Sequence, residues 1–147
     1  MPDMDTVCFT GHRHIAPTDE PALRRRLRLV LSALYDLGFR RFLNGGALGF
    51  DLLAAEEVLA LRDTHPDMFL EIAIPFTHQC DAWPQSEQQR YECMLIRADK
   101  LTPLASHYFR GVYLLRNRYM VDRSHVCVAY YDGSPTGGTS FTACYAL

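Results

Sequence analysis

The stretch Asn44-Gly45-Gly46-Ala47-Leu48-Gly49-Phe50-Asp51 constrains this chain more than any other. It follows a short apolar segment, Phe39 to Leu43, and runs straight into the helical pattern Leu52 to Leu61. A strand that breaks into glycines and then a helix builds a backbone-lined pocket, because glycine turns at positive φ and lets a ligand approach the main chain closely. The helix start adds N–H groups without intrahelical partners and a partial positive charge, a combination that attracts phosphate.

The rest of the chain repeats that alternation. Thr6 to Thr10 is a short apolar run without period-two alternation, as expected of a strand covered on both faces. Leu23, Leu27, Val30, Leu31 and Leu34 recur at helical spacing up to Gly38. Leu70 to Phe76 reads as a third strand closed by Pro75 and the polar Thr77-His78-Gln79, and Ser86 with Gln89 resembles a capping box for the next helix. Lys100 to Ala105 is a weak fourth strand, a helix carries Leu114 to Val121, and His125 to Tyr131 reads as a buried strand running into Asp132 to Thr139. Strand and helix alternate five times with short connections. This predicts one α/β domain over residues 1–147, Rossmann-like and doubly wound, with a mainly parallel sheet of about five strands and helices on both faces. In such a sheet the loops after the strands, Gly11 to His14, Asn44 to Asp51, Pro75 to Gln79 and Asp132 to Thr139, meet on one rim.

Composition narrows the function classes. A net charge of -2 gives no global basic field for nucleic acid or an anionic membrane. The five cysteines are odd in number and far apart, with no C-x-x-C pair, which suits free thiols in a reducing cytosol. The acidic N-terminus leads into only a short apolar run, so neither a signal peptide nor a membrane span is expected, and the chain reads as cytoplasmic.

Asn44, Gly46 and Gly49 sit at the spacing of a G-x-G-x-x-G fingerprint with asparagine in the first place, a residue that tolerates the left-handed region. The fingerprint belongs after a first strand, with an acid closing the next; here it follows the second strand and Glu71 opens the third. A dehydrogenase is therefore not indicated, and a tight structural turn with Asp51 favouring the helix dipole is the alternative. A second cluster, Gly137-Gly138-Thr139, also lies between a strand and a helix start, and two such turns on one rim suit a phosphate. Arg13 and Arg116 are candidate countercharges, because guanidinium forks fit phosphate oxygens. Gly11, His12, Gly45 and Asn117 belong to the same candidate set, with Asn117 or Asp51 set to touch a ribose. Phe76 and Trp83 are candidates to stack on a base. His12 and His14 form an H-x-H pair, but no carboxylate or cysteine stands at ligand spacing, so no metal is expected. Glu56 places a carboxylate on the apolar face of the second helix and needs a partner there, a structural arginine or a ligand hydroxyl.

Assembled, these pieces resemble the YpsA-like family of the SLOG superfamily of Rossmann-like proteins. The similarity rests on CFTGHR at Cys8 to Arg13, FLNGGALGFDLLAAE at Phe42 to Glu56, IAIPF followed by Gln79 and Trp83, Gln89-Arg90-Tyr91, RNRYMVD at Arg116 to Asp122, and a late strand followed by GGT. The resemblance spans nearly the whole chain. It implies a domain that binds or senses a small nucleotide-derived ligand in glycine-rich loops. The related plant-hormone-activating phosphoribohydrolases use P-G-G-x-G-T-x-x-E, and here threonine, Thr142, stands in the glutamate position. Hydrolysis of a nucleoside phosphate at its N-glycosidic bond then needs another carboxylate, Glu56 or Asp122, with Glu56 the candidate catalytic residue. The similar DNA-processing proteins of natural transformation bind single strands, but no interleaved basic and aromatic stripe supports that analogy. A protein scaffold is a further alternative. The chain ends soon after the GGT turn, which reads either as a shortened C-terminus or as a compact member of the family, and its last helix would need packing or a second subunit, making a homodimer an expectation.

Overall fold

The structure, a computed structural model, describes residues 5–130. Nine elements follow one another: β1 (Thr6–Gly11), α1 (Glu20–Asp36), β2 (Arg41–Asn44), α2 (Phe50–Arg62), β3 (Phe69–Ile74), α3 (Gln85–Arg97), β4 (Lys100–Pro103), α4 (Val112–Asp122) and β5 (Val126–Tyr130). The strands form one sheet in the order β4-β3-β2-β1-β5, and each pairing is parallel.

This order dictates where the helices lie. From β1 to β4 the chain steps outward one strand at a time, so right-handed crossovers put α1, α2 and α3 on one face. From β4 it returns across the sheet to pair β5 with β1, and the reversed direction puts α4 on the other face. Side-chain alternation serves both layers. Val7, Phe9, Phe42, Leu70 and Ile72 pack with Leu27 and Leu31 of α1, Leu52 and Val58 of α2, and Met94 of α3. On the opposite face Cys8, Leu43 and Ala73 pack against Met120 of α4. The sheet thus buries one face under three helices and the other under a single helix. The Rossmann-like, doubly wound α/β arrangement expected from the alternation is the one observed. Among the described residues, no helix is long and apolar enough to cross a membrane.

Four local expectations change. On α1 the stripe is narrower than its spacing suggests: Leu27 and Leu31 are buried, whereas Val30 is 40% exposed because it borders an open groove between α1 and β5. β5, read as a buried strand, is half-exposed, since it pairs with β1 on one side only among the described strands. α3 starts without a capping box: Pro84 is the N-cap with no side-chain cap bond, and its ring fixes the entry angle of the chain. Gln88, rather than Gln89, reaches back and donates to the carbonyls of Cys80, Asp81 and Trp83. Finally, β4 stops at Pro103, two residues before the expected end.

Candidate functional site

The Asn44 to Asp51 turn leaves the carboxyl end of β2 near the point where strand order reverses around β1, the position at which open α/β sheets bind ligands. Asn44 is fully buried and holds the turn through its side chain: Nδ2 donates to the Asp51 carbonyl at 2.8 Å and Oδ1 accepts the Gly46 N–H at 2.7 Å. No described non-glycine residue has positive φ, so asparagine is used here for its two-way hydrogen bonding and not for left-handed backbone. Gly46 and Gly49 do take positive φ, at 66° and 77°.

Three of the glycines also have a reason internal to the fold. A Cβ on Gly49 would stand 2.2 Å from the Arg13 carbonyl oxygen, and one on Gly11 would stand 2.4 Å from the Phe50 ring. A Cβ on Gly45 would meet Arg116 Cδ and Asp51 Oδ2, both at 2.9 Å. These contacts lock the first two strand-to-helix loops together, and the Phe50 N–H donating to the His12 carbonyl at 3.0 Å adds to the lock. Sequence spacing suggests a ligand for these glycines; the packing shows that the chain itself already requires them.

Asp51 and Arg116 flank Gly45 and are both buried. Burial pushes the Asp51 carboxyl up to about 6, against the pull of Arg116, the Ala47 N–H at 3.2 Å and Arg13. Burial likewise lowers the Arg116 guanidinium, with Asp51 holding it charged. Arg116 donates through Nη1 to the Gly45 carbonyl at 3.0 Å and through Nε to Asn117 Oδ1 at 3.1 Å. α4 supplies this pair because Arg116 and Asn117 lie on the buried side of the helix together with Val112 and Met120.

Between the two candidate arginines lies Tyr113. The Arg13 guanidinium sits 4.6 Å and the Arg116 guanidinium 5.5 Å from its ring centre. Arg13 is exposed and Arg116 is buried, so one cation faces outward and the other supports the turn. Phe76 joins the same group, edge-on to Tyr113 at 5.9 Å and to Tyr108 at 5.8 Å. Trp83, the other stacking candidate, lies apart and packs edge-on against Tyr91 at 5.1 Å. The Tyr91 hydroxyl accepts from Gln79 Nε2 at 2.9 Å, and the same nitrogen points at the Gly46 carbonyl at 3.4 Å. Gln79 and Tyr91 thus brace the turn from the α3 side. Tyr113, Gln79 and Tyr91 are missed by a search for glycines and charges. The i, i+3 spacing of Tyr113 and Arg116 on α4 is the signal that could have found the first.

A cavity of about 330 Å³ opens beside the turn, with Arg13, His14, Leu48, Gly49, Pro84 and Arg90 in its wall. Among the described residues, the N–H groups of Leu48 and Gly49 have no hydrogen-bond acceptor. His12 packs edge-on against Tyr130 at 5.8 Å, and Gly11 pairs with Tyr130 across the β1–β5 ladder. Among the described residues no group of three His, Cys, Asp or Glu side chains could hold a metal ion. Gly137, Gly138 and Thr139 lie outside the described residues.

Glu56 has its partners within the protein. Arg90 Nη2 donates to Oε1 at 2.6 Å, Arg90 Nε to Oε2 at 3.1 Å and Arg24 Nη2 to Oε1 at 3.0 Å. Burial alone would raise its carboxyl, but the two arginines outweigh it and hold the group below its usual value. The two arginines fasten α2 to α1 and α3, the structural answer to an acid on an apolar helix face.

Comparison with known proteins adds one set of findings. The family model YpsA, described as the YspA SLOG family, matches residues 17–146. A UPF0398 protein of Bacillus thuringiensis (strain Al Hakam) is 26% identical over 147 residues, covering 94% of this chain and 80% of that protein. A UPF0398 protein of Halalkalibacterium halodurans is 31% identical over 121 residues, covering 81% of this chain and 64% of that protein. With its glycine turn, its parallel sheet and a family match over most of its length, the chain belongs to the YpsA-like SLOG family.

Proposed function

We propose that the chain binds a nucleotide or nucleotide-derived molecule, with a phosphate seated at the start of α2. The observation that carries this reading is the pair of N–H groups on Leu48 and Gly49, which have no acceptor among the described residues. They open a 13-residue helix at a cavity wall that also holds Arg13. Helix-start amides and a guanidinium fork are the two donor types that phosphate oxygens use best. Tyr113 and Phe76 lie beside Arg13 and offer aromatic faces for a base. Asp51, in the turn, and Asn117, beside Arg116 on α4, are the groups assigned to ribose hydroxyls in this reading.

Thermal unfolding with a panel of ATP, ADP, AMP, ADP-ribose, pyrophosphate and phosphate tests the reading. A saturable rise in Tm with at least one nucleotide, lost in Arg13→Ala, is expected. A flat response across the panel would sink it.

One observation favours a second reading, cleavage of an N-glycosidic bond. Such a reaction needs a carboxyl able to hold and give a proton near neutrality. Glu56 is held below its usual value by two arginines, but Asp51, in the turn itself, is raised to about 6. Release of free base from nucleoside monophosphates, abolished in Asp51→Asn and retained in Glu56→Gln, supports this reading. Binding without turnover leaves the first.

A further inference from the structure

We propose that Cys8 and Cys127 form a dithiol site that closes reversibly to a disulfide under peroxide-class oxidants, tying β5 to β1 beneath the binding rim. The two residues are direct register partners in the parallel β1–β5 ladder. Register partners on neighbouring parallel strands project to the same face, and strand spacing of about 4.8 Å lies inside the Cα separation that disulfides span. Both cysteines belong to the cluster under α4 with Met120, Leu43 and Ala73. Each thiol perturbs the other, so that the Cys8 thiol is held below and the Cys127 thiol above the ordinary cysteine value. Cys8 is 1% exposed and Cys127 is half-buried, so reagent enters from the β5 side. Cys80 and Cys93, the other cysteines among the described residues, have no such neighbour: one is half-buried on the loop before α3 and the other is exposed on that helix.

The chemistry balances with hydrogen peroxide as the two-electron oxidant. One sulfur, as thiolate, attacks the O–O bond, becomes a sulfenic acid and expels hydroxide, which takes up the proton that sulfur had lost. The second sulfur attacks the sulfenic sulfur, forms the S–S bond and expels the hydroxyl oxygen as water with its own proton. Two thiols and one peroxide give one disulfide and two waters. The bond lies three residues below Gly11 and Tyr130, the last register pair of the same ladder. Tyr130 stacks on Phe50, the first residue of α2, at 5.8 Å, so the oxidised staple fixes the strand that backs the glycine turn.

The test oxidises the folded, full-length chain with hydrogen peroxide, blocks remaining thiols with N-ethylmaleimide and maps tryptic peptides by mass. Trypsin leaves Cys127 and Cys144 on one peptide, residues 124–147, so Cys144→Ser is the background. The expected product is a loss of two mass units with residues 1–13 joined to residues 124–147, reversed by dithiothreitol. In the Cys127→Ser variant on that background, residues 1–13 should carry no disulfide. Recovery of Cys8 and Cys127 as free thiols after oxidation, a bond from Cys8 to Cys80 or Cys93, or a Cys8–Cys127 bond that forms only in urea would each overturn the proposal.

Discussion

Replacing Asp51 with asparagine should erase a specific pH dependence of stability. The carboxyl rises from an ordinary 3.8 to about 6 on folding because burial disfavours its charge. The unfolded chain therefore releases this proton first, and between pH 3.8 and about 6 the native state binds more protons than the unfolded state. Unfolding free energy falls as pH rises through that window and is flat above it. At 1.36 kcal/mol per unit the whole rise is worth about 3 kcal/mol, of which about 2 kcal/mol is lost between pH 4 and pH 7, because the unfolded carboxyl is already partly ionised at pH 4. Asparagine keeps the acceptor for the Ala47 N–H and has nothing to titrate. The absolute difference at one pH also includes the loss of the countercharge to Arg116, but the change of that difference with pH isolates Asp51. Other shifted acids, Glu56 among them, stand below their usual values, act at lower pH and cancel between the two proteins. Urea unfolding at pH 4, 5, 6 and 7 should show wild type losing about 2 kcal/mol relative to Asp51→Asn across the series. A difference that stays constant, or that grows in favour of wild type with rising pH, would refute the assignment of a raised buried carboxyl.

Three further outcomes separate roles within the turn. Arg13→Ala should abolish the nucleotide-induced rise in Tm while changing the unliganded Tm little, since the side chain is exposed and rests on Tyr113. Glu56→Gln should cost roughly 1–2 kcal/mol by urea unfolding, from weakening two partly exposed ion pairs, and leave nucleotide affinity unchanged. Gly49→Ala should cost roughly 2–4 kcal/mol, because a Cβ at φ 77° meets the Arg13 carbonyl at 2.2 Å and neither backbone can yield; an unchanged unfolding midpoint would show that the loops are not locked.

Much of this architecture is legible in the sequence because apolar runs and glycine punctuation carry it. Val7-Cys8-Phe9 reads as a covered strand for the reason seen in the structure: Val7 and Phe9 face the three-helix layer and Cys8 faces α4. The glycine turn is legible in position but not in cause. Spacing cannot show that the Gly49 Cα abuts the Arg13 carbonyl, or that Gly45 makes room for Arg116, since both contacts join segments distant in sequence. Glu56 illustrates the same limit. Its place on an apolar face demands a partner, and only the packing of α1 and α3 around α2 identifies Arg24 and Arg90 as the partners. Asn44 is read from the fingerprint as a left-handed residue, but its side chain finds Asp51 and Gly46 while its backbone remains in the strand.

The most direct measurement is a 15N-resolved NMR titration of the amide groups with ADP and, separately, with pyrophosphate. Phosphate binding at the start of α2 predicts saturable shifts of the Leu48 and Gly49 amides with both ligands, accompanied by the Arg13 Nε–H. Leu48 and Gly49 amides that stay fixed up to millimolar ADP, or shifts confined to the distant face around Arg41, Lys100 and Arg123, would contradict it.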